Sequence, residues 1–401
     1  MTDDASEPLL LGVRVVLLGT GTALSMFGSV LGEQGADVIR VEPPVLGDEL
    51  RRRGPFADDE SLTWAVAARS SRGVTCDLAH PEGAALARRL LSDCTIVGEA
   101  LGAGRLDALG LALDTMHGPR VVVRFSGRGH AGPAAGHEAP ELVALAISGL
   151  LSLTGQPHRP PVPFGVRLAE QLAGVSGATA ALAALLDTTP DESNGAPIVV
   201  DLATHAAALR LTEWNVAAYD KLGTQRQREG NRPSSVAPLD VYVTADGDHV
   251  AIVGGSDANF ARLVKAMDRN DLLTDERFAT ADDRVAHGAE INDIVGAWVN
   301  AITTDEVERR CLANGAPFGR VSGPAEILAD AHLVARGDLV VVDDPTIGAH
   351  VQQAPHPRVI GATPTALVPA PTLGQHNEQI WCEEVGITRA ELARLRDLGI
   401  V

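Results

Sequence analysis

The strongest constraint on the fold is a unit repeated near the start of the chain: a short apolar, β-branched run, a turn, a helical stretch, then another short apolar run. Val13–Leu18 is the first run, helical spacing follows Gly19-Thr20-Gly21 as far as Gln34, and Asp37–Val41 is the second run. The cycle returns as Gly73–Leu78, a helix over Pro81–Leu91, Thr95–Val97 and Arg120–Phe125. A strand that is apolar throughout, rather than at alternate positions, must be covered on both faces, and helices between successive strands supply that cover. The alternation predicts an α/β fold built on a parallel sheet.

Further along, Leu142–Leu153 and Leu168–Leu186 are rich in Ala, Leu and Gly, the composition of helices that pack closely against other elements. Thr188–Pro197 reads as a polar loop, Ile198–Leu202 as a strand and His205–Tyr219 as a helix. Gly223–Pro238, with Gly230, Pro233 and Pro238, reads as a linker into a smaller α+β unit. That unit holds a hairpin over Asp240–Val253 turning at Asp246-Gly247, a strand-to-helix turn or flap at Gly254-Gly255, and helices around Asn259–Met267, Glu290–Ala301 and Asp305–Asn314. The chain returns through a helix at Pro324–Ala331, strands at Asp338–Val342 and Val351–Gln353, an extended Pro355–Pro371 and a helical tail, Arg389–Leu398. The expected division is 1–222 for a large domain, 223–322 for a small one and 323–401 for the return.

Charge narrows the partners. With 33 basic against 52 acidic side chains in 401 residues, the net charge of −19 opposes a general nucleic-acid or anionic-membrane surface. Lys221 and Lys265 are the only lysines, so nearly every cation is an arginine, suited to fixed phosphate or carboxylate contacts. Cys76, Cys94, Cys311 and Cys382 are far apart and predict neither a metal site nor disulfides. Met1–Pro8 is acidic, unlike a signal peptide, and no long uninterrupted apolar run stands out, which makes a cytoplasmic protein the expectation.

Gly19-Thr20-Gly21 after a strand, with Glu42 at the end of the next, has the outline of a dinucleotide fingerprint. Leu24 at the third glycine position opposes that reading, because a side chain there keeps the helix from its close approach.

Longer segments give a better match. Gly35-Ala36-Asp37-Val38-Ile39-Arg40-Val41-Glu42-Pro43-Pro44 is followed by Gly47-Asp48, by Arg72 before Thr75-Cys76-Asp77-Leu78, and by Leu106-Asp107-Ala108-Leu109-Gly110-Leu111. Then come Phe125-Ser126-Gly127 with Gly132-Pro133, Ser148–Gly155, Gly230-Asn231-Arg232, Ala237-Pro238 and finally Ala370-Pro371-Thr372-Leu373-Gly374-Gln375-His376-Asn377-Glu378. In this order the chain resembles the CaiB/BaiF family, the family III CoA transferases, over nearly its whole length. The resemblance implies a large Rossmann-like α/β domain built from both chain ends, a small inserted domain and an interlocked homodimer. It implies movement of CoA from an acyl-CoA thioester to a small carboxylic acid, with coenzyme A as substrate and no permanently bound cofactor.

The same resemblance nominates site residues. Gly165-Val166-Arg167-Leu168-Ala169-Glu170 is similar to the segment in which the family keeps a nucleophilic Asp at a helix start, so Glu170 is the expected covalent carrier. Glu141, ahead of Ser148-Gly149, is expected to border the site. Thr20, Ser71 and Gly127 occupy positions expected near CoA, although Thr20 replaces an Arg or His and Ser71 a Lys; Arg40 and Arg72 are the candidate phosphate partners. Glu99–Gly104 lacks the family's Asn, Phe and Arg. The racemase branch of the family uses a His-acid pair, and His137 in Gly136-His137-Glu138 is similar but three residues early, with Pro140 at the matching position. Two alternatives to CoA transfer therefore follow: α-proton transfer on an acyl-CoA, and a catalytically silent CoA-binding protein.

Overall fold

The structure, a computed structural model, describes residues 7–112, 117–187, 196–360 and 365–401. The chain forms two compact units, one of 1–150, 163–220 and 335–401, the other of 151–162 and 221–334.

In the larger unit, β1 (Arg14–Gly19), β2 (Asp37–Glu42), β3 (Arg72–Thr75), β4 (Ile96–Ala100), β5 (Val121–Ser126) and β6 (Ile198–Ala203) make one sheet in the order β3-β2-β1-β4-β5-β6. Every pairing in it is parallel. Chain direction across the sheet reverses beside β1, and the crevice outside the carboxyl ends of β1 and β4 is where folds of this order bind ligands. Both faces are apolar. Val15, Leu17, Ile96, Val123 and Phe125 pack on one side; Val16, Leu18, Val97 and Val122 pack on the other, with Trp381 and the C-terminal Leu392 and Leu395.

Helix α1 (Thr22–Glu33) covers the first face, and the helix α2 (Pro81–Leu91) contributes Leu86, Leu90 and Leu91 to the second. After α3 (Glu141–Ile147) comes α4 (Leu168–Asp187), 20 residues long and apolar enough to cross a membrane by length and composition. Here it packs along α1 and β5. Its glycines permit that approach: a Cβ on Gly174 would lie 2.6 Å from the Ala23 carbonyl oxygen, and one on Gly177 would lie 2.7 Å from the Phe125 ring. The single helix expected over His205–Tyr219 is two, Thr204–Arg210 and Asn215–Leu222, separated where Glu213 takes a positive φ of 54°.

The open edge of β3 is covered by the C-terminal motif. Gly73 N donates to His376 Nδ1 at 3.1 Å while His376 N donates to the Gly73 carbonyl, Asn377 Oδ1 accepts from Thr75 N at 2.8 Å, and Trp381 Nε1 reaches the Thr75 carbonyl. These bonds blunt an edge that would otherwise expose unpaired strand groups. The strands Leu339–Asp344 and Gly348–Gln353 pair antiparallel.

The smaller unit contains a three-stranded antiparallel sheet of Leu239–Val243, His249–Val253 and Phe318–Arg320. The helices Asp257–Met267, Gly288–Asn300 and Thr304–Asn314 bury Phe260, Leu263, Val295 and Val307 against it. Gly254-Gly255 is a tethered strand-to-helix turn: Gly254 N donates to the Pro238 carbonyl and the Gly255 carbonyl accepts from the buried Arg284. The sequence placed 151–162 in the large domain and ended the small one at residue 322, whereas the smaller unit takes in 151–162 and continues through Val334. Gly230 N donating to the Gly155 carbonyl ties that first segment in. Most of the loop expected at Thr188–Pro197 lies outside the described residues, as does 361–364 of the extended segment.

Candidate active site

Glu170 stands in the first turn of α4. The preceding residues, Pro160 to Phe164, are exposed and non-helical, and the first helical bond runs from Gln171 N to the Arg167 carbonyl. A helix start leaves its first N–H groups without intrahelical partners. Two of them are satisfied from another element: Glu141, the first residue of α3, accepts from Ala169 N through Oε1 and from Glu170 N through Oε2, both at 3.0 Å. Glu141 thus caps a neighbouring helix with its whole carboxylate, and the positive end of that helix favours both acids.

Arg167 completes the arrangement. Its Nη1 donates to both oxygens of Glu170, at 2.7 and 2.9 Å. The Glu170 side chain is 14% exposed and that of Arg167 39%, so the carboxylate is shielded but reachable from the arginine's side. His137 is exposed in the turn before α3 and, among the described residues, forms no hydrogen bond or ion pair with either carboxylate. The structure brings together Glu141 and Glu170 and leaves His137 outside their network.

Gly127 links this network to the sheet. It follows β5, its carbonyl accepts from His205 N and lies 3.1 Å from His205 Nδ1, and a Cβ on it would lie 2.3 Å from Ala139 N. Only a glycine lets the segment ahead of Glu141 lie this close to the strand end. Thr20 follows β1 at the same carboxyl edge.

The other nominated residues face elsewhere. Arg40 is 4% exposed and spends four hydrogen bonds inside the protein, on Ser71 Oγ, Ser25 Oγ and the carbonyls of Ser25 and Ala67. Burial pushes its pKa down to about 10, which leaves it charged at neutral pH. Ser71, also buried, accepts from Arg40 and donates to the Ala68 carbonyl. Arg72 turns to the amino edge of the sheet, where Asp37 and Glu384 bind it. These three residues therefore hold the fold together in this structure and present no open cationic fork toward the carboxyl edge.

The dinucleotide outline fails on charge. Gly21 N, the amide a pyrophosphate would use, donates to the buried Asp48 carboxylate at 3.3 Å. Glu42 is claimed by Arg51 at 2.7 and 2.8 Å and by Asp48 N. An anion cannot replace a carboxylate there without meeting another negative charge. A thiol nucleophile is also disfavoured: burial raises Cys76 to about 12, and Cys94 and Cys311 are buried too.

Sequence reasoning missed a second charged group at the carboxyl edge. Glu99, Arg124 and Asp201 are in register on three adjacent strands, and His130 lies over them. Arg124 Nε meets Glu99 Oε1 at 2.7 Å, and His130 Nδ1 lies 3.0 Å from Asp201 Oδ1. Burial alone would raise the Glu99 pKa, but His130, Arg124 and the Leu101 amide outweigh it and hold it below the usual carboxylate value. Glu99, against the opposing effect of burial and with help from Asp201, raises His130 above the usual imidazole value. Next to Gly127, Arg128 carries a buried Nε with no acceptor among the described residues. The signal for this group was a single charge in each of three otherwise apolar strands. A cavity of about 740 Å³ in the larger unit is lined by Leu9, Glu33, Val340, His356 and Leu367, and none of the nominated residues lines it.

Comparison with known proteins bears on this geometry. Residues 10–377 match the family described as CoA-transferase family III. The chain is 36% identical over 97% of its length to the succinyl-CoA–D-citramalate CoA-transferase of Chloroflexus aurantiacus, 97% of which is covered. It is 32% identical to the succinyl-CoA–L-malate CoA-transferase beta subunit of the same organism, with 98% of each chain covered. A CAIB/BAIF family protein from Brucella suis superimposes with a TM-score of 0.82 at 27% identity, covering 96% of this chain and 100% of that one. The chain belongs to CoA-transferase family III. It is an enzyme whose class of reaction passes CoA between an acyl-CoA and a carboxylic acid.

Proposed function

We propose that this enzyme transfers CoA from succinyl-CoA to a small dicarboxylic acid of the malate or citramalate kind, with Glu170 as the covalent carrier. The observation that carries the reading is the placement of Glu170: an acid in the first turn of α4, its backbone fixed by Glu141 and its carboxylate oriented by Arg167. The choice of acids rests on the names of the two Chloroflexus relatives.

A Glu170 oxygen attacks the acyl carbon of the donor thioester and expels CoA thiolate, giving a mixed anhydride. The thiolate then attacks the Glu170 acyl carbon and expels the donor acid as its carboxylate, leaving a Glu170–CoA thioester. The acceptor carboxylate attacks that thioester and expels CoA thiolate, forming a second anhydride. Attack of the thiolate on the acceptor's acyl carbon then releases Glu170 and the new acyl-CoA. Each step exchanges one anionic leaving group for another, so no external proton or electron is required. Glutamate carries the same group as aspartate on a stem one methylene longer.

The thioester approaches over the carboxyl edge of the sheet, where Thr20 and Gly127 lie and where Arg128 supplies a cation with an unspent donor. Two copies interlock, as the family resemblance implies. The exposed Leu142, Val143 and Ile147 of α3 and Leu209 of the helix packed on it offer apolar surface for a second copy. The reaction belongs to the cytoplasm, in keeping with four free cysteines. Exchange of labelled succinate into succinyl-CoA tests the assignment: Glu170→Ala abolishes exchange and Glu170→Asp retains it in part. Full exchange by Glu170→Ala refutes it.

A further inference from the structure

We infer that Arg167 is the receptor for the acceptor carboxylate, freed for that task each time Glu170 becomes acylated; this rests on Glu170 being the covalent carrier. In the resting protein a single nitrogen, Nη1, bridges both Glu170 oxygens at 2.7 and 2.9 Å. Among the described residues, Nε and Nη2 of Arg167 have no protein acceptor, and the side chain is 39% exposed. The guanidinium thus faces the carboxylate with one edge and solvent with the other. A pair three residues apart whose arginine is 39% exposed is modest in strength, so it orients Glu170 without locking it.

Acylation changes the local charge. As a free acid Glu170 is an anion; as an anhydride or a CoA thioester it is neutral. The other acid of the site, Glu141, is already engaged by the amides of Ala169 and Glu170 and stays where it is. Arg167 then loses its counter-ion beside the new acyl carbon. The acceptor is itself a carboxylate, and it must approach that carbon to about 3–3.5 Å in a place that Glu141 makes negative. A carboxylate that takes over the vacated partnership with Arg167 arrives at that distance, because the arginine already sits within hydrogen-bond reach of both Glu170 oxygens. Collapse of the final anhydride restores the Glu170 anion, which competes for Arg167 and favours release of the neutralised acyl group. The arginine therefore couples acceptor binding to the state of the carrier: the acid binds well only once there is a thioester to attack.

The test separates the two half-reactions. Wild type, Arg167→Ala, Arg167→Gln and Arg167→Lys are incubated with succinyl-CoA alone, trapped with borohydride or hydroxylamine, and the peptide holding Glu170 is weighed. The succinate dependence of label exchange is measured in parallel, with thermal unfolding to select folded variants. Arg167→Ala or Arg167→Gln still forms the Glu170 adduct, more slowly for want of the orienting contact, while the succinate KM rises on the order of 10- to 100-fold, the loss of a charge-assisted contact. Arg167→Lys recovers most of that loss. An adduct in wild type with an unchanged succinate KM in the folded variants overturns the role of Arg167 alone, as does loss of the adduct in them. Absence of an adduct in wild type overturns the carrier and this inference together.

Discussion

Gly127→Ala converts the close approach behind Glu141 into a measurable loss. The added Cβ would lie 2.3 Å from Ala139 N and 2.9 Å from Ala139 Cβ, where ordinary contact begins at 3.4 Å. About 1 Å of displacement is needed, and Ala139, 6% exposed, is too well packed to lift away freely. Glu141 is two residues further on, and its two bonds to the start of α4 are both 3.0 Å. A shift of that size stretches them past useful length and moves Glu170 with them. Overpacking of this kind costs about 1–3 kcal/mol in stability, and misplacing a reacting group by about 1 Å costs on the order of a hundredfold in rate. Succinyl-CoA/succinate exchange read beside urea unfolding should therefore show a rate loss far larger than any unfolded fraction explains. Exchange within about threefold of wild type, with a well-folded protein, would show that the Gly127–Glu141–Glu170 chain does not set the position of the carrier.

Glu99→Gln keeps the volume of a fully buried side chain but leaves Arg124, 14% exposed, without its nearest carboxylate. The expected cost is about 3 kcal/mol by urea unfolding, with the His130 pKa falling in an imidazole NMR titration; a cost under about 1 kcal/mol would place the pair's importance elsewhere. His376 makes stability depend on pH: burial, followed by Arg72, lowers its pKa from the ordinary 6.5. Below that value the unfolded chain takes up a proton that the folded chain refuses, so stability is full above pH 6.5 and declines as the pH falls toward the depressed folded value. His376→Asn, which keeps an acceptor for Gly73 N, should flatten this part of the curve of unfolding midpoint against pH; an unchanged slope would assign the loss to other groups.

The sheet was legible because its signal is local. Val13–Leu18, Asp37–Val41 and Arg120–Phe125 carry apolar side chains at successive rather than alternate positions, interrupted only by Arg14, Asp37, Arg40, Arg120 and Arg124, and burial on both faces demands that pattern. The division into units was less legible, since the placement of 151–162 depends on a bond to Gly230 some seventy-five residues away. Of the site, Glu170 and Glu141 could be nominated from resemblance, but the cap joining them spans twenty-nine residues and has no local signature. Arg40 and Ser71 are nominated as ligand contacts by the resemblance, but here each satisfies the other in the interior. The Glu99–Arg124–Asp201 rung becomes visible only when strand register is known, as each strand alone shows one charge among apolar neighbours.

The most direct test of the account is the mass of the α4 N-terminal peptide after brief incubation with succinyl-CoA and borohydride reduction. The account predicts conversion of the Glu170 carboxyl to the corresponding alcohol, dependent on succinyl-CoA and absent in Glu170→Ala. An unmodified Glu170 in protein that exchanges succinate at full rate, or the modification on another residue, would contradict it.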